Sequence, residues 1–365
     1  MPSKRPANHL PREQRAASLA ELDQKILKLI NQRARLTRTQ TTSANPGSNA
    51  SGTAVIQSTD FDDLLQANPG PLHDRCVRSI FRELTSGCCA LVTATTVAYL
   101  GPPYSYSHLA ALERFGSSAE LVPVSSIAAV FAELAHQHTD FGIVPIENTT
   151  DGRVVDTLDM FARMPTNICG EVQLAIHHNL LGSGKRQDVR EVCSKPQAIS
   201  QCRGWLAKHL PAAKIVETAS TAAAAKRAAK KPSVAAIASR EAGVQYGLKV
   251  IVGNIEDNPN NVTRFAVIGP NPGKRSGNDK TALMFEIAHC PGALADAMAV
   301  FKRRELNMTW IESFPMPDSK NEYLFFVEVE GHFEDEYLKR ALLSLEKKTT
   351  RLEVLGAYRK QKPVG

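Results

Sequence analysis

Four short segments of the 365-residue chain concentrate hydroxyl, amide and charged side chains where helices or strands should begin. Ser105 and Ser107 lead into a helix starting near His108, and Glu147-Asn148-Thr149-Thr150-Asp151-Gly152 precedes a helix over 154–162. Thr218, Ser220 and Thr221 open the alanine-rich run 222–225. Singly, each is explained as an N-cap, whose side-chain oxygen accepts from a free backbone N–H for about 1 kcal/mol. Three in one α/β unit allow a second reading. Helix N-termini carry unpaired N–H groups and the positive end of the helix dipole, so several converging on one cleft make a carboxylate or phosphate site. The fourth segment, Asn261-Val262-Thr263-Arg264-Phe265, adds a cation and another hydroxyl at the entrance of a strand.

Other patterns fall away. Gly182-Ser183-Gly184-Lys185-Arg186 misses the spacing of a phosphate loop at both ends. His177 and His178, read as strand neighbours, point to opposite faces and do not chelate one metal together. Lys226, Arg227, Lys230 and Lys231 read as the solvated face of an alanine-rich helix. The seven cysteines include no C-x-x-C pair, so neither a disulfide framework nor a zinc site is expected.

These segments need a frame to converge on. From Thr96, apolar runs (Val97–Leu100, Phe141–Ile146, Val172–Ile176, Val189–Cys193, Val234–Ala238, Phe265–Ile268) alternate with helical stretches at 108–115, 125–137, 197–209 and 221–230. That alternation predicts an α/β body. After the Gly/Pro/Asn-rich segment 269–279, the order is strand 280–288, helix 292–303, strands 308–314 and 323–330, helix 334–347 and strand 352–357. This βαββαβ order predicts a ferredoxin-like module. Ahead of both, Leu19, Leu22, Ile26, Leu29 and Leu36 draw a narrow seam on a helix over 19–38, with Arg33 at one seam position. A seam this narrow favours a helix partner. A linker follows at 41–59, then a second helical region over 60–92 that breaks at Asn68-Pro69-Gly70-Pro71.

Composition bounds the function. Hydrophobic residues at 43% and charged residues at 22% supply a core and exclude disorder over most of the chain. The net charge of +7 is local: nine of the 44 basic and three of the 37 acidic residues fall in 1–40, which leaves 35 against 34 elsewhere. With two Trp and few clustered aromatics, the chain offers no stacking platform, and no nucleic-acid partner is expected. No apolar run approaches the roughly 18–20 residues needed to span a bilayer. The polar start MPSKRPANHLPREQR lacks the apolar core of a signal peptide, and the cytoplasm is the expected address.

Read together, the segments resemble prephenate dehydratase, and residues from about 15 to 362 resemble the bifunctional chorismate mutase/prephenate dehydratase family. The resemblance is carried by VAYLGPPYSYSHLAALERFG (97–116), FGIVPIENTTDGRVVDTLDMF (141–161), GEVQLAIHHNLL (170–181), SKPQAISQCRGWL (194–206), STAAAA (220–225) and NIEDNPNNVTRFAVIG (254–269). DKTALMFEIAHCPGALADAMAVF (279–301), NMTWIESFP (307–315) and EYLFFVEVEGH (322–332) resemble the family's phenylalanine-sensing ACT domain. The charge count marks a basic, disordered tail over 1–14, and the resemblance implies a mutase-like helical domain over 15–92. A two-lobed, periplasmic-binding-protein-like dehydratase domain follows over 96–270, with lobes of about 96–171 plus 253–270, and 172–252. An ACT domain covers 279–362. In that family the mutase helices and the ACT domains both pair, so the resemblance implies a homodimer or higher homo-oligomer.

It also implies the chemistry: prephenate loses CO2 and water to give phenylpyruvate, in L-phenylalanine biosynthesis, with no cofactor or metal. Thr263 is then the donor to the departing ring hydroxyl. Arg264, Phe265, Asn148, Ser105, Ser107, Gln197, Ser220 and Thr221 match substrate-binding positions, and Gly292, Ala293, Leu294, Asn307, Glu312 and Ser313 match the site of the effector L-phenylalanine. Tyr104 replaces a usual Gly, Lys195 a usual His, and Phe314 the Arg of Glu-Ser-Arg-Pro. In the front domain Arg33 matches the seam arginine. Ala16, the segment 41–53, Asp60-Phe61-Asp62-Asp63 and Val92 stand where the other mutase residues belong, so a mutase of weak or no activity is expected. The alternatives are a fully bifunctional enzyme and a non-catalytic amino-acid sensor.

Overall fold

Each apolar period becomes an element in the structure, a computed structural model that describes residues 12–42, 61–315 and 323–364. The tail before residue 12, most of the linker 41–59 and Asp60 lie outside the described residues. The chain divides at Ala94 into two units.

The first unit contains helices α1 (Arg12–Thr42), α2 (Asp62–Gln66) and α3 (Asp74–Ala90). The break between α2 and α3 falls on Asn68-Pro69-Gly70-Pro71, where the ring of proline cannot continue a helix. The five seam residues on α1 are between 51 and 64% exposed. Arg33 faces α3, and its Nη2 donates to Thr85 Oγ1 at 2.9 Å.

The second unit starts with β1 (Thr96–Leu100), α4 (Tyr106–Phe115), β2 (Glu120–Val124), α5 (Ile127–Ala135), β3 (Phe141–Asn148), β4 (Gly152–Arg153), α6 (Val155–Arg163) and β5 (Asn167–Ala175). The chain then crosses into a second sheet. Its elements are β6 (Asn179–Gly182), β7 (Glu191–Ser194), α7 (Pro196–Ser200), α8 (Arg203–His209), β8 (Lys214–Glu217), α9 (Thr221–Ala228), β9 (Val234–Ala238), α10 (Arg240–Gln245) and β10 (Lys249–Val252). It returns as β11 (Val262–Gly269), which inserts antiparallel between β3 and β5, so the first sheet runs β2-β1-β3-β11-β5 with β4 on β3. The second sheet runs β10-β6-β9-β7-β8.

Several boundaries differ from the sequence reading. The helix read over 19–38 runs from Arg12 to Thr42, so residues 12–14 of the expected tail and 41–42 of the expected linker are helical. Val172–Ala175 stay in the first sheet as part of β5, so the crossing falls at 176–178, and His177 and His178 sit in that crossing instead of on a strand. The helix read over 197–209 is two helices. Asp257 accepts from Gly204 N at 2.8 Å and Trp205 N at 3.0 Å, supplying the acceptors that a new helix start requires. The break at Gln201-Cys202 frees the Gln201 side chain to turn toward the crossings.

The C-terminal elements are β12 (Asp279–Glu286), α11 (Ala293–Arg303), β13 (Met308–Pro315), β14 (Tyr323–Glu330), α12 (Glu336–Glu346) and β15 (Arg351–Arg359). They form an antiparallel sheet of order β13-β14-β12-β15. One face of it closes over the first sheet: Met284, Phe326 and Tyr358 share a core with Val144, Leu158 and Ile268. At the contact of β15 with β5, Gly356 has φ +143°, and a Cβ there would stand 2.2 Å from the carbonyl oxygen of Ile168. Beyond β15, Val364 exchanges backbone hydrogen bonds of 2.9 Å with Gln173 and Ala175, extending the ladder past β5. Among the described residues, no helix is long and apolar enough to cross a membrane.

Candidate active site

The antiparallel register of β11 on β3 sets Thr263 opposite Asn148 and Arg264 opposite Glu147. Asn148 Nδ2 donates to Thr263 Oγ1 at 2.7 Å. The orientation of that amide is fixed from its other end, because Asn148 Oδ1 accepts from Thr150 N at 2.9 Å and Asp151 N at 3.0 Å in the turn leading to β4. The amide therefore presents N–H to Thr263, and the hydroxyl proton of Thr263 is left to donate elsewhere.

Beside this rung, a polar cluster joins the two sheets. Gln201 Nε2 donates to Asp151 Oδ2 at 2.9 Å. Gln201 Oε1 accepts from Asn261 Nδ2 at 2.9 Å and lies 2.8 Å from His178 Nε2. Burial lowers the pKa of His178 below that of an ordinary imidazole, so the ring is neutral and carries its proton on Nε2, facing the Gln201 carbonyl. Tyr106 donates to the His177 carbonyl at 2.9 Å and sits 3.4 Å from His178 Nδ1. Burial likewise pushes the Tyr106 phenol far above its ordinary value, which keeps it a neutral donor. Glu256 secures the crossing, with Oε1 2.8 Å from His177 Nδ1 and Oε2 accepting from His178 N at 2.9 Å.

The remaining expected residues separate into groups. Ser105 caps α4, accepting from His108 N at 3.3 Å while donating to Leu100 O at 3.1 Å, and Ser220 caps α9, accepting from Ala223 N at 3.0 Å. Ser107 and Thr221 are buried in the first turns of those helices. Tyr104 takes the left-handed conformation at φ +64°, and its N–H donates to His108 Nδ1 at 3.1 Å. Gln197 is exposed on α7, and Phe265 is buried in the core.

Arg264 does not join Thr263, contrary to the expectation that both meet the substrate. Adjacent strand residues project to opposite faces. The Arg264 guanidinium is held by Glu147 at 2.8 Å, Glu171 at 3.3 Å and Glu328 at 2.5 Å.

At the C-terminal sheet, Gly292, Ala293 and Leu294 line a cavity of about 540 Å³ with Cys290, Tyr323 and Phe325. Asn307, Glu312 and Ser313 do not line it. Glu312 instead pairs with Arg153 at 2.8 Å, and Phe314, at the usual arginine position, is buried in the core shared with the first sheet. Among the described residues, no group of three or more His, Cys, Asp or Glu could hold a metal ion.

The sequence reading missed Gln201, Asp151, His178 and Asn261 as a set. Asp151 and Asn261 lie inside segments that the sequence singles out, and His178 belongs to a histidine pair set aside as a metal site, whereas nothing in the spacing marks Gln201.

A mixed α/β body whose two sheets meet at a hydroxyl- and amide-lined cluster is the frame of a small-molecule enzyme. Residues 97–273 match the prephenate dehydratase family. The chain is 38% identical over 344 residues to the bifunctional chorismate mutase/prephenate dehydratase of Aquifex aeolicus, spanning 93% of this chain and 95% of that one. A solved prephenate dehydratase from Arthrobacter aurescens, in complex with L-Phe, aligns with TM-score 0.68 and 30% identity over 73% of this chain and 90% of that chain. GqqA, described as a novel type of quorum quenching acylase, aligns with TM-score 0.67 and 28% identity over 73% of this chain and 98% of its own. The chain belongs to the prephenate dehydratase family.

Proposed function

We propose that this chain converts prephenate to phenylpyruvate, CO2 and water, with Thr263 as the hydrogen-bond donor to the leaving oxygen. The observation that carries the proposal is the Asn148–Thr263 rung, in which a donating amide leaves the threonine proton available. As the ring carboxylate departs as CO2, its C–C bonding pair moves into the ring and the C–O bond to the hydroxyl breaks. The leaving hydroxide takes one proton through the Thr263 hydroxyl, which solvent water reprotonates, and departs as water. A threonine hydroxyl is a weak acid, but aromatisation drives the reaction, and a donor held in place suffices. The half-buried amide dipoles of Asn148 and Gln201 and the buried imidazole of His178, each held by hydrogen bonds, contribute a field that is already oriented.

The experiment is turnover of prephenate by the native chain, Thr263→Ser and Thr263→Ala. The native chain and the serine variant are expected to form phenylpyruvate, and the alanine variant to lose about 10²-fold or more in kcat. Full activity in Thr263→Ala would remove Thr263 from the mechanism.

The finer architecture belongs to the same proposal: two periplasmic-binding-protein-like lobes, with the C-terminal sheet as an ACT domain that binds L-phenylalanine in the cavity beside Gly292. The chain acts in the cytoplasm as a homodimer or higher homo-oligomer, and the exposed seam of α1 supports pairing. Chorismate mutase activity is weak or absent, because most positions that would assist Arg33 carry other residues. The likeness to the Aquifex aeolicus bifunctional enzyme over most of both chains favours the second reading, full bifunctionality. Chorismate turnover by the same preparation separates the two.

A further inference from the structure

Behind the Asn148–Thr263 rung lies a buried row of charges that the dehydration chemistry does not use. Glu147 and Arg264 each follow or precede a residue of that rung and form the neighbouring rung. Arg264 also reaches Glu171 of β5 and Glu328 of β14, and Lys280 of β12 binds the same two acids at 2.8 and 3.1 Å. The Tyr358 hydroxyl of β15 donates to Glu328 at 2.5 Å. Glu171 and Glu328 are 3% and 1% exposed, so this is a desolvated network in which removing one partner strands the others. A bulge follows at once, between Arg264 and Phe265, where the register to β3 shifts. Bulges bend a strand and re-aim its side chains, so the direction of Thr263 depends on what anchors the strand beside it.

We propose that Arg264 and Glu328 are positioning residues for the dehydratase reaction: the C-terminal sheet, through Glu328, clamps Arg264 and so fixes the strand that presents the Thr263 hydroxyl. The inference rests on the assignment of Thr263 as donor. It makes the C-terminal sheet part of the catalytic apparatus. Neither residue touches the substrate, so loss of the clamp lowers kcat and leaves KM nearly unchanged. A misplacement of about 1 Å at a reacting group is worth up to about 10²-fold in rate.

The test uses the full chain with prephenate as the probe. Glu328→Gln keeps the shape and removes the charge; Tyr358→Phe removes only the hydroxyl that donates to Glu328. Glu328→Gln is expected to lower kcat at least about tenfold with KM within twofold, and Tyr358→Phe to lower kcat by a smaller factor in the same pattern. Arg264→Gln combined with Glu328→Gln is expected to fall no further than the worse single variant, as two parts of one clamp should. If Glu328→Gln does not fold, Tyr358→Phe decides. A variant with native kcat per folded molecule, whatever its melting temperature, overturns the proposal. An inactive native chain would instead overturn the assigned reaction, so the two failures are distinct.

Discussion

Asp151, on the turn between β3 and β4, and Gln201, between α7 and α8, are 50 residues apart in sequence and joined by a hydrogen bond of 2.9 Å. That bond ties the first sheet to the second directly, independent of the two crossings. The same Gln201 amide receives Asn261, so one side chain links its own segment both to the turn after β3 and to the crossing before β11.

Gln201→Glu should loosen this junction. A carboxylate cannot donate to Asp151 and repels it. We expect KM for prephenate to rise about tenfold, and Gln201→Met, which loses only neutral hydrogen bonds, to raise it about fivefold. Steady-state kinetics with circular dichroism checks both, and an unchanged KM in Gln201→Glu would exclude Gln201 from the site.

Asn148→Asp is a sharper test of the rung. An aspartate keeps an oxygen for Thr150 N and Asp151 N, so the turn survives. Its second oxygen, however, accepts the Thr263 proton instead of donating to the hydroxyl. The expected result is a kcat lower by about 10²-fold with a native melting temperature.

How much of this was legible in the sequence follows from the range of each interaction. The elements are set by local periodicity, and every apolar run from Val97 onward lies on the strand or core that it predicted. The hydroxyls of Ser105 and Ser220 are local too: both cap their helices, and Ser105 adds a bond to the Leu100 carbonyl five residues back. Gln201, His178 and Asp151 meet only because two crossings fold back, and spacing carries no record of that. Arg264 is a different case. Strand alternation already separates it from Thr263, and the acidic partners that claim it, Glu171 and Glu328, were written into strands of opposite halves of the chain.

Acid stability should report the buried row. Burial raises the Glu328 carboxyl, but Arg264, Lys280 and the Tyr358 hydroxyl outweigh it and hold the carboxyl below its ordinary value. The unfolded chain therefore takes up this proton first. The stability from Glu328 is complete above about pH 4.5 and is lost as the pH falls from there through the lowered native value. His178 adds an earlier limb: its pKa is lowered in the fold, so the unfolded state gains protons as the pH drops below about 6.5. Calorimetry from pH 7 to pH 3 should show melting temperature declining in those two stages. Glu328→Gln should start lower and show a shallower second stage, the rest of which comes from Asp335, Glu330 and Glu191, whose carboxyls are also held below their ordinary values.

Gly356→Ala should destabilise the fold without touching the cluster. Its φ of +143° disfavours any side chain, and the Ile168 carbonyl occupies the space a methyl would need. The backbone conformation alone costs about 1–3 kcal/mol, and the clash adds to it. Denaturant unfolding that shows no loss of stability would mean that β15 can move off β5.

The place of β11 between β3 and β5 has a consequence for biosynthesis. Thr263 belongs to a strand that the ribosome makes only after the whole second sheet, at roughly 5–20 residues per second. For a period on the order of ten seconds the nascent chain holds β3 and β5 with no strand between them. Assembly of the first sheet is therefore a late, non-local event, exposed to misplaced pairing while it waits. A messenger truncated between residues 176 and 261 yields a chain that carries β3 and β5 but lacks β11 and, with it, Thr263.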